Sequence, residues 1–143
     1  MVNVNYKNFS CTDFQSADMQ ILKHHIYEYK KGVRNMVLHT MSKAEQEIAR
    51  YLLKMKNISF WIVEVNDKKI NVFFGNPECI KIVRSFKGKP LNELTPEQDF
   101  MLGIMLGYDR KDQFKRYLQM TEGNGEKALQ VSVKKTIHTV NIC

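Results

Sequence analysis

Histidine and cysteine side chains are the groups in this sequence that could bind a metal ion. His24 and His25 are adjacent, and His39 and Cys79 could complete a ligand set. Adjacent residues of a helix point about 100° apart, whereas metal-binding pairs on a helix lie four residues apart. No pair here has the spacing of a zinc site. We therefore expect no metal site, and we interpret one of the adjacent histidines as a core residue and the other as a surface residue.

Nucleophilic or acid–base chemistry would need a reactive thiol or a pair of carboxylates. Cys79 lies near the start of a predicted helix, where a thiolate is stabilised, but its place on the apolar stripe of that helix is typical of an inert thiol. Asp109 and Asp112 could form an acid–base pair, as could Glu97 and Asp99. All four occupy N-cap or first-turn positions, where acidic residues stabilise a helix. We interpret the chain as non-enzymatic, and an enzyme with a small pocket and an unknown reaction stays as an alternative.

Closely spaced glycines could indicate a nucleotide-binding loop. Gly123-Asn-Gly125 lacks both a preceding strand and the rest of a phosphate-binding motif, so no cofactor is predicted. Gly103 and Gly107 lie four residues apart, which favours close helix packing, and Gly107 also ends its helix.

Basic residues flank two tyrosines around the end of the predicted first helix. Lys30, Lys31 and Arg34 lie beside Tyr27 and Tyr29, and the whole chain has a formal net charge of +7. Positive charge attracts anionic partners, and aromatic rings between basic residues can stack on single-stranded nucleic acid. No recognition-helix pattern or dense arginine cluster accompanies them. We therefore predict a basic face for an acidic protein partner, with a nucleic-acid-binding or regulatory protein as the alternative.

Length and composition indicate one ordinary globular domain. The chain has 143 residues, of which 43% are hydrophobic and 26% charged, and a chain of this size folds without a disulfide or a metal. Three widely spaced cysteines form no disulfide framework. The longest apolar stretch, residues 100–106, is too short to span a membrane, and the first residues lack a secretory pattern. We expect a cytoplasmic protein with reduced thiols.

Local patterns predict eight elements before residue 122. A helix begins at Met19 and ends before Gly32, a first strand covers residues 34–40, and residues 58–65 and 70–74 form a hairpin. Capping residues mark the starts of four more helices: Ser42 with Glu45, Asn76 before Pro77, Thr95 with Gln98, and Asp109.

The order of these elements predicts the sheet. A right-handed crossover between strands 1 and 2 leaves room for strand 3 between them. The predicted fold is α+β, with a three-stranded antiparallel sheet of order 1-3-2 and about five helices on one face, as in half of a ferredoxin-like fold. We divide the chain into a loose N-terminal arm (1–18), a single α+β domain (19–122), and a linker with a β-prone C-terminal tail (123–143).

The predicted helix over residues 100–106 is apolar on all sides. Such a helix must be buried all round, whereas a three-stranded sheet covers one side only. A second copy would cover the rest by applying the same patch to itself. We therefore predict a homodimer whose interface contains Met101, Leu102, Gly103 and Met105, with coverage by the last helix and the tail of the same chain as the alternative.

Three segments resemble a known bacterial family. They are residues 24–40 (HHIYEYKKGVRNMVLHT), 75–79 (GNPEC) and 91–109 (LNELTPEQDFMLGIMLGYD), of which the last is the most specific. Over residues 21–120 the chain is similar to the family catalogued as domain of unknown function 2023. The resemblance implies about three strands and five helices, a homodimer, and no known activity. It also points to a flavodoxin-like redox protein as the acidic partner, because genes of this family often lie beside flavodoxin genes.

Overall fold

The computed structural model describes residues 9–122, which form five α-helices and three β-strands. Their order confirms the predicted order of helices and strands. In chain order they are α1 (Ala17–Lys30), β1 (Met36–Ser42), α2 (Gln46–Met55), β2 (Ser59–Glu64), β3 (Lys69–Gly75), α3 (Pro77–Ser85), α4 (Pro96–Met105) and α5 (Arg110–Thr121).

The three strands form one antiparallel sheet in the order β1-β3-β2. β3 is central, so that Val72 lies opposite both His39 of β1 and Ile62 of β2. The turn between β2 and β3 is closed by Asn66, whose side-chain oxygen accepts two backbone N–H groups of the loop at 2.8 and 2.9 Å. The predicted α+β fold and strand order are confirmed.

Helices cover both faces of the sheet, whereas the sequence predicted helices on one face. α1 and α2 pack on the face that carries Val37 and Met41, and α3 and α4 pack on the face that carries Leu38 and Phe73. The physical reason lies in β3, where every residue from Ile70 to Gly75 is buried. A central strand that is mostly apolar on both sides needs a cover on each side.

The start of α2 differs from the predicted capping box. A short 3₁₀ helix over Lys43–Glu45 precedes α2, and the Ser42 side chain makes no capping hydrogen bond. Glu45 instead accepts a hydrogen bond from Ser16 Oγ. Ser16 is the N-cap of α1, where it accepts the N–H of Met19 at 3.2 Å. Glu45 therefore connects the starts of α1 and α2. No local sequence pattern shows this contact, because Ser16 and Glu45 are 29 residues apart in the chain.

The described part of the N-terminal segment packs on the domain. The rings of Phe9 and Phe14 lie 5.5 and 6.2 Å from the ring of Tyr51 in α2, and both pack against the core beneath α1 and α2. α1 also begins at Ala17, before the predicted start. Residues 9–18 are therefore continuous with the α+β domain, while residues 1–8 and the predicted linker and tail (123–143) lie outside the described residues.

α4 and α5 form a helical hairpin. The predicted capping box is present at the start of α4, where Gln98 N–H donates to Thr95 Oγ1 at 3.2 Å and Thr95 N–H donates to Gln98 Oε1 at 3.1 Å. Gly107 follows α4 with φ +81°, a conformation that glycine adopts without strain. Asp109 then caps α5 by accepting the N–H of Asp112 at 3.2 Å. These turn residues reverse the chain, so that α5 packs against α4.

Candidate binding surfaces

The predicted basic residues lie where the end of α1 meets the end of α2. Lys30 Nζ donates to the backbone carbonyl oxygen of Lys56 at 3.0 Å, and Lys31 Nζ lies 5.5 Å from the centre of the Tyr27 ring. We call Lys30, Lys31, Arg34 and Lys56 the basic surface. Sequence reasoning missed Lys56, although lysine at the end of a predicted helix is a recognisable pattern because it complements the helix dipole.

Arg34 differs from the three lysines because a carboxylate balances its charge. Its Nε lies 3.0 Å from Glu28 Oε2, and the other oxygen of Glu28 lies 2.8 Å from His24 Nε2. Lys30, Lys31 and Lys56 form no ion pair with any carboxylate of residues 9–122. The lysines therefore supply the uncompensated positive charge of the basic surface.

Three of the four predicted dimer residues are covered by their own chain. Leu102 and Met105 are 2% and 9% exposed and belong to the core beneath α3 and α4. Gly103 is buried against Gln113 of α5, so closely that a methyl group there would collide with the Gln113 amide. α5 and the sheet therefore cover sides of α4 that the sequence argument assigned to a second chain. Met101 is 39% exposed and stays available to another molecule.

An open apolar groove of about 470 Å³ runs between α4 and α5. The Phe100 ring is stacked on Phe114 at 6.0 Å and tilted against Tyr117 at 5.6 Å. The Tyr117 hydroxyl donates to Glu97 Oε1 at 3.2 Å. We call this surface the α4–α5 groove, and its lining residues are Glu97, Phe100, Met101, Phe114, Tyr117 and Leu118.

A buried ion pair holds the two helices of the groove together. Arg116 of α5 donates to both carboxylate oxygens of Asp99 of α4, at 2.6 and 2.8 Å, and their side chains are only 11% and 6% exposed. A two-pronged pair with little water fixes geometry as well as charge. The relative position of α4 and α5, and hence the shape of the groove, is set by this pair.

The two adjacent histidines occupy different environments, as the sequence predicted. His25 is buried and His24 is exposed. The His25 ring lies 5.8 Å from the ring of His39, whose Nε2 is 3.2 Å from the backbone carbonyl oxygen of Asp18. Among residues 9–122 no three metal-binding side chains converge on one point. The buried pair therefore contributes to packing between α1 and β1.

Cys79, Asp109 and Asp112, the remaining candidate catalytic groups, lie where they pack or stabilise helices. Burial, followed by the nearby Glu78 carboxylate, raises the pKa of the Cys79 thiol above its ordinary value, which opposes the reactive thiolate. Asp109 is the N-cap of α5, and Asp112 lies in the first turn of that helix. In the part of the chain that the structure describes, these groups do not meet a histidine in the arrangement of a nucleophile and its base.

Two arginines that the sequence did not single out lie beside β2. The guanidinium carbon of Arg50, in α2, lies 5.7 Å from the centre of the Phe60 ring, and that of Arg84, in α3, lies 4.9 Å from the centre of the Trp61 ring. Phe60 and Trp61 are neighbours in β2 and therefore point to opposite faces of the sheet. Each face of this strand is flanked by one arginine, an arrangement that depends on which helix covers which face.

None of α1 to α5 combines the length and apolar character that a membrane-spanning helix needs.

Comparison with known proteins assigns a family to the chain. No curated protein matches the chain. The model of the family described as protein of unknown function (DUF2023) matches residues 20–120, which is well over half of the chain, and the protein therefore belongs to that family.

Proposed function

We propose that the protein is a non-enzymatic, cytoplasmic interaction module that binds an acidic protein partner through the basic surface and pairs as a homodimer. The observation that carries the proposal is the meeting of Lys30 and Lys56 at the ends of two helices, with Lys31 beside them. These ammonium groups have no carboxylate partner among residues 9–122. Clustered positive charge of this kind steers an anionic partner and fixes its orientation.

A flavodoxin-like redox protein is the concrete partner that the family resemblance suggests. Proteins of that type are acidic, so their charge is complementary to that of the basic surface.

Calorimetric titration with a purified flavodoxin tests this function. We expect binding that weakens steeply as salt is added, because attraction between exposed charges is screened over about 10 Å at 0.1 M ionic strength. The double variant Lys30→Glu/Lys31→Glu is expected to lose binding. Lys111→Glu/Lys115→Glu makes the same change of charge on α5 and is expected to keep it. Binding that is indifferent to salt, or equal loss in both variants, would contradict the proposal.

Nucleic acid is the second candidate ligand of the same surface. Tyr27 is 59% exposed beside Lys31, and an exposed ring next to a cation can stack on a base. A fluorescent single-stranded oligonucleotide separates the two functions. We expect no binding at concentrations that saturate flavodoxin, and tight oligonucleotide binding that is lost in Tyr27→Ala would favour the alternative.

The homodimer is proposed to use the α4–α5 groove. Met101, Ile104, Phe114 and Leu118 are all more than a third exposed on these two helices. Large apolar side chains that are contiguous on a surface mark an interaction site, and a symmetric pair would bring one groove against the other.

A further inference from the structure

Within residues 9–122, one edge of the sheet has backbone groups that pair with no other strand. Val65 N–H donates to the carbonyl oxygen of Lys69 at 3.0 Å, and hydrogen-bonded pairs alternate along an antiparallel ladder. Given the register of β2 and β3, the backbone groups of Phe60, Ile62 and Glu64 must point away from β3. Among residues 9–122, β2 pairs with β3 alone, so this edge can accept another strand.

The opposite edge is closed. Lys43 N–H donates to the carbonyl oxygen of Lys68 at 2.9 Å, so Met36, Leu38, Thr40 and Ser42 are the outward residues of β1. The Ser42 N–H donates to the Asp18 carboxylate at 3.0 Å, and Met36 and Leu38 are completely or almost completely buried. In β2, by contrast, residues 59–63 are all partly exposed. The fold protects one edge of the sheet and leaves the other accessible.

Positive charge exceeds negative charge at the open edge, because the Glu64 carboxylate is paired with Lys43 at 2.7 Å and an arginine flanks each face. Arg50 and Arg84 lie over Phe60 and Trp61, one on each side of the sheet. Arg84 forms no ion pair with a carboxylate of residues 9–122, and Arg50 has a single distant one, Glu47 at 3.7 Å. The basic surface continues into this edge, because Lys56 lies only three residues before the start of β2.

We propose that the open edge of β2 binds an extended acidic peptide segment by strand addition. This inference rests on the proposed function, because it describes how an acidic partner is held. Backbone hydrogen bonds along an exposed edge supply affinity, and pockets for alternate side chains supply specificity. The guanidinium groups of Arg50 and Arg84 can each bind a carboxylate with two parallel hydrogen bonds.

Charge complementarity selects an acidic segment over the other strands that could fill the edge. Two copies of this edge would carry net charges of the same sign, because Lys43 balances Glu64 at 2.7 Å and the arginines remain in excess, and like charges oppose pairing. Residues 123–143 have three lysines and one glutamate, so their net charge also has the sign of the edge. A segment of opposite charge is the occupant that this edge favours.

The geometry also determines the spacing of the carboxylates. Because Phe60 and Trp61 are consecutive and point to opposite faces, two adjacent acidic residues of an added strand would reach the two arginines. Two acidic residues separated by one position would point to the same face and reach only one arginine. A peptide Thr-Val-Thr-Glu-Glu-Thr-Val-Thr is therefore expected to bind more tightly than Thr-Val-Glu-Thr-Glu-Thr-Val-Thr, which has the same composition.

Proline at position 62 provides a sharp test. The Ile62 N–H points outward, so Ile62→Pro removes a donor of the open edge and no bond of the β2–β3 ladder. Ile62→Ala removes the same side chain and keeps the donor. Fluorescence anisotropy with the labelled adjacent-glutamate peptide should show affinity reduced about tenfold or more by Ile62→Pro and by Arg50→Gln/Arg84→Gln, and much less by Ile62→Ala. Thermal unfolding checks that each variant is folded.

A second measurement uses the unchanged protein, so it applies even when a variant does not fold. The same peptide with every backbone nitrogen methylated is expected not to bind, because neither of its edges can then donate hydrogen bonds to the new ladder. Equal binding of the methylated peptide, or equal binding by Ile62→Pro and Ile62→Ala, would overturn strand addition. Equal affinity of the two glutamate spacings would overturn the role assigned to the arginines.

The flavodoxin titration separates this inference from the proposed function. If flavodoxin binds the basic surface but neither peptide binds, strand addition is wrong and the proposed function stands. If neither flavodoxin nor the peptides bind, both are wrong.

Discussion

His39 of β1 is a buried residue whose charged form the fold disfavours. Burial is the largest cause that lowers its pKa below the ordinary value of 6.5, and the neighbouring His25 lowers it further, with a smaller contribution from Lys69. The backbone carbonyl and the carboxylate of Asp18 act in the opposite direction. At the scale of single residues, the burial of His39 against His25 and Asp18 of α1 makes the stability of the domain sensitive to pH.

We expect the free energy of unfolding to fall as the solution is acidified below about pH 6.5. The unfolded chain protonates His39 near its ordinary pKa, whereas the folded chain protonates it only at lower pH, so the unfolded state binds more protons in that interval. The stability that neutral His39 contributes is fully present above its ordinary pKa and is lost as the pH falls from there through its lower pKa in the folded chain. Urea titrations between about pH 8 and pH 5 measure the effect.

A glutamine variant provides the control for the pH dependence. His39→Gln is expected to flatten it. If the free energy of unfolding fell equally with pH in wild type and in His39→Gln, other groups would be the cause of the acid sensitivity.

Single residues also show where sequence reasoning has a limit. Asp99 was assigned to helix-start stabilisation, which was a sufficient local reason for an acid at that position. Its partner Arg116 follows 17 residues later, and the pairing exists only because α5 folds back on α4. Arg50 and Arg84 likewise acquire meaning only after the helices are assigned to faces of the sheet. Patterns within one turn of helix are visible in the sequence, whereas contacts across the fold are not.

At the scale of elements, α4 depends on a cap that both sequence and structure show. Thr95→Ala removes the side-chain oxygen that accepts the N–H of Gln98. We expect the free energy of unfolding to fall by about 1 kcal/mol, the usual effect of losing an N-cap. The urea midpoint measures it, and Thr95→Ser, which keeps the oxygen, is the control. A midpoint that does not move in Thr95→Ala would show that Pro96 alone is sufficient to begin the helix.

Element boundaries follow from local chemistry, but the layers do not. Asn76 and Asp109 start helices as predicted, because a cap acts on the two or three residues that follow it. In α3, Ile80 is buried whereas Ile82 is 37% exposed. Both residues fit a helical period, and which of them is buried depends on how α3 lies on the sheet. The second helical layer was missed for the same reason, since no local pattern states which face a helix covers.

At the scale of the whole molecule, charge and apolar surface are segregated. Residues 21–90 have 14 basic and 6 acidic side chains, whereas residues 91–122, which include α4 and α5, have 4 basic and 6 acidic ones. The basic surface and the edge of β2 belong to the first part, and the α4–α5 groove belongs to the second. A dimer built on the groove would therefore leave the basic surfaces of both copies free for an acidic partner and would avoid apposing the most positive regions.

A homodimer through the α4–α5 groove is expected in sedimentation equilibrium at about 10 µM, a concentration that a moderate dimer affinity would exceed. Met101→Glu introduces a charge into the groove and should yield monomers, because an isologous interface contains the substituted residue twice, once from each copy. Ile82→Glu is a matched control, since Ile82 and Met101 are 37% and 39% exposed and only Met101 lies in the groove. Glutamate at Leu102 or Met105 would not serve, because it would disrupt the core of the single chain. A wild-type protein that is monomeric at this concentration would contradict the dimer, and removal of residues 123–143 would then test whether they cover the groove instead.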